Sequence, residues 1–102
     1  MQIIELYSDP DYYVNVVLDG VVFYFHLSWN SEAKFWTLSI ENSDRDLLVA
    51  FKLLPNRRLL ERYHVAGMPA GDLAVVSSSN TIAKNDFADG YARLVYASES
   101  EL

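Results

Sequence analysis

The sequence has 102 residues, 51% of them hydrophobic, and a chain of this length is expected to form one domain around one core. Its 8 Lys or Arg against 14 Asp or Glu give a net charge of −6, which disfavours nucleic acid or an anionic membrane as the main partner. The lack of cysteine excludes disulfides, thiolate nucleophiles and cysteine-ligated metals. Since no apolar run reaches about 18 residues, we expect no membrane insertion.

The first predicted elements are a short strand over Met1–Leu6 and a β-hairpin centred on Asp19-Gly20. Asp-Gly is a preferred two-residue hairpin turn, because a type I′ turn needs positive φ at both central positions. The turn sets the register of the two flanking runs, which are rich in β-branched and aromatic residues. One face of the hairpin is then wholly apolar, with the predicted pairs Leu18–Val21, Val16–Phe23, Val14–Phe25 and Tyr12–Leu27.

The opposite face of this hairpin is mixed in character. Asn15 is predicted to lie beside Tyr24, and Tyr13 beside His26. Such a face is either solvated or covered by a partner. Tyr13, Tyr24 and His26 are therefore candidate contact residues.

Two further strands extend the apolar face. In Phe35–Glu41 apolar residues alternate with Thr37, Ser39 and Glu41, which predicts a half-buried strand. The apolar run Leu47–Leu54 could form a strand or a short helix, and Pro55 after it favours the strand. The expected pairs between the hairpin and the third strand are Trp29–Trp36, Leu27–Leu38 and Phe25–Ile40.

The second half of the chain shows helical spacing in one segment, Pro55–Tyr63, which predicts one or two helical turns with the arginines outward. Strands are predicted at Leu73–Ser77 and Tyr91–Tyr96. The polar stretch Ser78–Gly90 between them is predicted to be a surface loop anchored by Ile82 or Phe87.

These elements predict an all-β fold, either a small antiparallel sandwich or a partly closed barrel of about seven short strands with one short helix. We expect a single β-domain over residues 1–97 and an acidic C-terminal tail over residues 98–102.

Catalytic chemistry finds little support in the sequence. A Ser-His-Asp hydrolase needs a histidine beside a nucleophile, but neither His26 nor His64 lies in a nucleophile motif. Most of the aspartates fall in predicted turns, where Asp closes local hydrogen bonds. We therefore expect no catalytic, cofactor-binding or metal-binding residues.

Charge is distributed unevenly along the chain. The segment from Lys52 to Arg62 holds four basic residues against the single acid Glu61, a local charge of +3 that leaves −9 on the remainder. This pattern is typical of a solvated helix face, and it also fits a docking patch for an acidic neighbour. The candidate interface residues in this segment are Arg57, Arg58 and Arg62.

Several short motifs occur in an order and spacing that resemble a known family. They are Val16–Gly20, Trp29-Asn30, Trp36–Leu38, the Leu47–Leu54 run with its basic-leucine continuation, Gly71–Leu73, and Arg93–Tyr96 after an acidic-Gly turn. Together they span about Val14 to Tyr96. The chain resembles the small plug proteins at the centre of the baseplate in contractile-tailed bacteriophages, typified by a cyanophage plug.

The resemblance implies a structural virion protein that is not an enzyme. Such a protein would assemble with itself as a homo-oligomer and with hub, tube or spike proteins near the tail axis. It would reside in the tail baseplate, and in the host cytoplasm during assembly. A small β-barrel protein-binding module is the alternative, followed by a small hydrolase. Exposed strand edges make the assembly role physically reasonable, because a partner chain can pair with their free N–H and C=O groups.

Overall fold

The computed structural model describes residues 1–63 and 65–102, which form two antiparallel sheets. One sheet has the order β2-β3-β4-β5 and the other the order β1-β7-β6. In these described residues the arrangement is an all-β sandwich rather than a closed barrel. The strands are β1 (Gln2–Ile4), β2 (Asp11–Leu18), β3 (Val21–Asn30), β4 (Phe35–Glu41), β5 (Leu47–Lys52), β6 (Asp72–Ser77) and β7 (Ala92–Ala97).

The predicted hairpin register is confirmed. Asp19 and Gly20 have φ values of 53° and 81°, as a two-residue turn of this type requires. All four predicted apolar pairs occur between β2 and β3. The face that they form lies in the core except at the turn, where Val21 is exposed.

The third and fourth strands also follow the prediction. β4 pairs with β3 through Trp29–Trp36, Leu27–Leu38 and Phe25–Ile40. The run after residue 46 is a strand, β5, which forms the edge of the four-stranded sheet beside β4. Trp36 is 1% exposed and lies between the rings of Tyr12, Trp29 and Phe87.

The predicted helix over Pro55–Tyr63 is wrong. This segment crosses from one sheet to the other, where Pro55 and Arg58 form isolated bridges with β6. The N–H group of Leu59, which would bond to the Pro55 carbonyl in a helix starting there, donates instead to Leu73 of β6 at 2.9 Å, and that of Asn56 donates to Val75 at 2.7 Å. Leu59 and Leu60 are nevertheless buried.

A short helix, α1 (Asp86–Asp89), occurs instead inside the predicted surface loop. Both predicted anchors of that loop, Ile82 and Phe87, are buried. None of the helices in the described ranges is long and apolar enough to cross a membrane.

The two chain termini meet beside β7. β1 pairs with β7, and the Met1 ammonium group contacts the Glu101 carboxylate. This contact is the main cause that lowers the pKa of Glu101 to about 2. The acidic tail forms a 3₁₀ turn over Glu99–Glu101 that Ser98 caps, so it folds onto the N-terminus.

Candidate interaction surfaces

The three hairpin residues singled out in the sequence form one surface on the outer side of the four-stranded sheet. Tyr13 of β2 and His26 of β3 are cross-strand partners whose rings stack, with centroids 4.4 Å apart and planes 13° apart. Tyr24 lies two residues before His26 and therefore points to the same side. We call Tyr13, Tyr24 and His26 the hairpin-face surface.

Arg45, which no local sequence pattern marks as a contact residue, completes this surface. It comes from the β4–β5 turn, and its guanidinium carbon lies 4.8 Å from the Tyr13 ring centroid and 4.3 Å from that of Tyr24. Its Nε donates to Glu41 at 2.7 Å, and this bond is the main cause that raises the pKa of Arg45. A cation held over two tyrosine rings is an arrangement that orders exposed aromatic side chains.

His26 is held by a carboxylate. Its Nε2 contacts the Asp11 side chain, and Tyr13 covers one face of its ring. In the part of the chain that the structure describes, no hydroxyl group is hydrogen-bonded to His26, whereas the hydrolase alternative requires such a nucleophile. The other histidine of that alternative, His64, lies outside the described residues.

The arginines of the basic segment between Lys52 and Arg62 have two different roles. Arg57 and Arg62 are exposed. Arg58 is also exposed, but it donates from Nε to the Asp72 carboxylate at 2.7 Å and lies 3.7 Å from that of Glu61. Asp72 is 4% exposed, and its second carboxylate oxygen accepts the N–H groups of Leu60 and Leu73, both at 2.8 Å. A buried carboxylate needs such partners, so Arg58 contributes to the stability of the fold.

The three arginines nevertheless surround one hollow of about 190 Å³. Its lining also includes Phe51 and Tyr63, whose rings stack with centroids 5.5 Å apart. The fold thus brings Arg57, Arg58 and Arg62 together without a helix. We call these three residues the basic surface.

The two surfaces are separate. The hairpin-face surface is built on β2 and β3, at one edge of the four-stranded sheet. The basic surface follows β5, the strand at the opposite edge of that sheet. Among residues 1–63 and 65–102, no three His, Asp or Glu side chains are grouped so that they could hold a metal ion.

The sequence matches a family model described as cyanophage baseplate Pam3 plug gp18, over residues 1–99. The matched range includes β1 and the whole connection between β6 and β7. No curated protein matches the sequence.

Proposed function

The chain belongs to the family of cyanophage baseplate plugs, which makes it a protein of the virion tail baseplate. From this premise we propose that it binds hub, tube or spike proteins near the tail axis. It also binds copies of itself and so closes the inner baseplate. The family match over residues 1–99 is the observation that carries this proposal. The family suggests a structural role without enzymatic activity.

The basic surface is the proposed docking site for another baseplate protein. Arg57 and Arg62 are exposed, and the hollow that they border is also lined by Phe51 and Tyr63. Arginine binds a carboxylate with two parallel hydrogen bonds and is common among the energetic anchors of interfaces. We therefore assign an acidic, partly apolar segment of a hub, tube or spike protein to this surface.

The hairpin-face surface is the proposed second contact. Tyr13 is 51% exposed, and its ring is fixed by His26 on one side and by Arg45. Because these side chains are already ordered, a partner that covers them loses little side-chain entropy on binding. Tyrosine and arginine are also enriched at protein interfaces.

The proposal is tested with the double variant Arg57→Glu/Arg62→Glu, which leaves Arg58 on Asp72. We expect its free energy of unfolding to stay within about 1 kcal/mol of the wild-type value, because exposed charges contribute little to stability. Its affinity for the hub, tube or spike partner should fall about thirtyfold or more, which corresponds to about 2 kcal/mol. Binding by the wild-type protein should weaken as the salt concentration rises.

Arg93→Glu is the control for one such charge reversal, because Arg93 is exposed on β7 and lies outside the basic surface. This variant should bind the baseplate partners as the wild type does. Equal binding by the double variant and the control, at low salt and with normal stability, would show that the basic surface is an ordinary solvated surface.

A further inference from the structure

All three lysines of the chain line one groove. The groove has a volume of about 650 Å³ and lies at the end of the sandwich where β3 and β5 finish and β4 begins. Its apolar walls include the side chains of Trp29 and Ile82. We call it the lysine groove; its lining is Trp29, Ala33, Lys34, Lys52, Thr81, Ile82, Ala83 and Lys84.

The three lysines come from separate segments. Lys34 precedes β4, Lys52 ends β5, and Lys84 lies shortly before α1. In the described ranges none of them forms an ion pair, and the groove lining contains no acidic side chain. The Lys52 ammonium group lies 4.9 Å from the centroid of the Phe35 ring. Three lysines that line one groove without a counter-charge give it a positive potential, which favours an anionic occupant.

Acidic residues near the groove do not fill this role. Glu32 lies in the β3–β4 turn, and Asp86 and Asp89 lie in α1, outside the groove lining. One carboxylate oxygen of Asp86 accepts the N–H of Ala83 at 2.8 Å. These three acids therefore supply no counter-charge within the groove lining.

A surface of complementary charge lies at the opposite end of the β4–β5 pair. The turn between these strands, Asn42–Asp46, is rigid because the Asn42 side-chain oxygen accepts the N–H groups of Asp44 and Asp46, both at 2.9 Å. Both aspartates are exposed, and their carboxylates accept no hydrogen bond within the described parts of the chain. Arg45, between them, is directed away to Glu41 and the tyrosine rings. We call Asp44 and Asp46 the acidic turn.

We propose that the acidic turn of a second copy of this chain inserts into the lysine groove. The two carboxylates, on a turn whose backbone is held by Asn42, meet three lysines, and Leu47, which is 63% exposed beside the turn, meets the apolar walls formed by Trp29 and Ile82. Because turn and groove lie at opposite ends of one strand pair, the contact is head-to-tail. A head-to-tail contact generates a ring if its rotation closes. The inference rests on the self-assembly part of the proposed function and identifies the two surfaces involved.

The test uses two full-length variants that each lose one half of the contact. Lys34→Gln/Lys52→Gln/Lys84→Gln removes the groove charges, and Asp44→Lys/Asp46→Lys reverses the turn charges. Sedimentation equilibrium of the wild type should show concentration-dependent assembly that weakens with added salt. Each variant alone should self-associate at least about tenfold more weakly.

Mixing the two variants gives the decisive result. The turn of the groove variant remains acidic and the groove of the turn variant remains basic, so one complete contact can form. The mixture should therefore produce 1:1 dimers that do not grow further. Glu5→Lys/Asp9→Lys is the control, since it changes the net charge by the same amount as the turn variant, at exposed positions outside both surfaces. This control should assemble as the wild type does.

Three outcomes overturn the inference: a monomeric wild type at the highest concentration reached, wild-type assembly by either variant alone, or a mixture that yields no dimer. None of these outcomes affects binding of hub, tube or spike proteins, which the Arg57→Glu/Arg62→Glu experiment measures separately. Circular dichroism of each variant identifies any that has failed to fold. For a variant that fails, the single substitutions Lys84→Gln and Asp44→Lys replace it and carry the same expectations.

Discussion

At the residue scale, Tyr96 joins three parts of the molecule through one hydroxyl group. This hydroxyl donates to the Asp19 carboxylate in the β2–β3 turn and accepts the N–H of Gly71, both at 2.7 Å. Gly71 is required there, because a Cβ atom would overlap the carbonyl oxygen of Ala97 and the Tyr96 ring. Burial is the main cause that raises the pKa of Tyr96 to about 12, with Asp19 adding to the effect.

This pKa predicts an alkaline loss of stability. The pKa of Tyr96 in the folded protein lies above its ordinary value of 10.0. The neutral Tyr96 hydroxyl therefore contributes fully to the free energy of unfolding below about pH 10, and this contribution is lost as the pH rises through about 12. Tyr96→Phe should cost about 1 kcal/mol at neutral pH, since the hydrogen bonds are removed, and should reduce the alkaline loss. Burial also raises the pKa of Tyr12 to about 12. The alkaline loss of stability that comes from Tyr12 should therefore remain in both the wild type and Tyr96→Phe.

The measurement is the free energy of unfolding of wild type and Tyr96→Phe at neutral and alkaline pH. The gap between the two proteins should narrow as the pH rises. A gap that stays constant to about pH 12 would show that the Tyr96 hydroxyl does not carry the linkage.

At the scale of elements, local signals account for the parts that were predicted correctly. The Asp19-Gly20 turn determines the hairpin register, and the alternation in β4 determines which side chains face the core. The segment Pro55–Tyr63 was assigned wrongly because its N–H groups find partners on β6, a contact remote in sequence. α1 has only four residues, too few to show helical periodicity.

The candidate surfaces were predictable only in part, for the same reason. Residues close in sequence, such as Arg57, Arg58 and Arg62, can be grouped by reading the chain. The pairing of Tyr13 with His26 followed from the hairpin register. The position of Arg45 over the tyrosine rings depends on the β4–β5 turn, and the lysine groove combines three distant segments. Such groupings arise only after the sheets have packed.

The register also makes a quantitative prediction at this scale. Phe23 is 2% exposed on the core face, whereas its neighbour Tyr24 lies on the outer face. Phe23→Ala should lower the free energy of unfolding by about 3 to 5 kcal/mol because it leaves a cavity. Tyr24→Ala should cost much less. Chemical denaturation of the two variants checks this prediction. Equal losses in the free energy of unfolding would show that the hairpin register is shifted by one residue.

At the scale of the whole molecule, six of the eight basic residues line two hollows of a chain whose net charge is −6. Lys52 borders both the hollow of the basic surface and the lysine groove, so the two are neighbours. The proposed roles differ: the basic surface binds another baseplate protein, and the lysine groove binds the acidic turn of a second copy. A small sandwich with two such adjacent sites can contact its own copies and a second protein at the same time.

Amine-reactive cross-linking of purified phage tails, read out by mass spectrometry, tests the proposed role most directly. Lys34, Lys52 and Lys84 all lie at or beside the proposed contacts, so they report on whatever is bound there. We expect cross-links from Lys52 to a hub, tube or spike protein. Tails in which the chain is present but its lysines cross-link to none of these proteins would contradict the account.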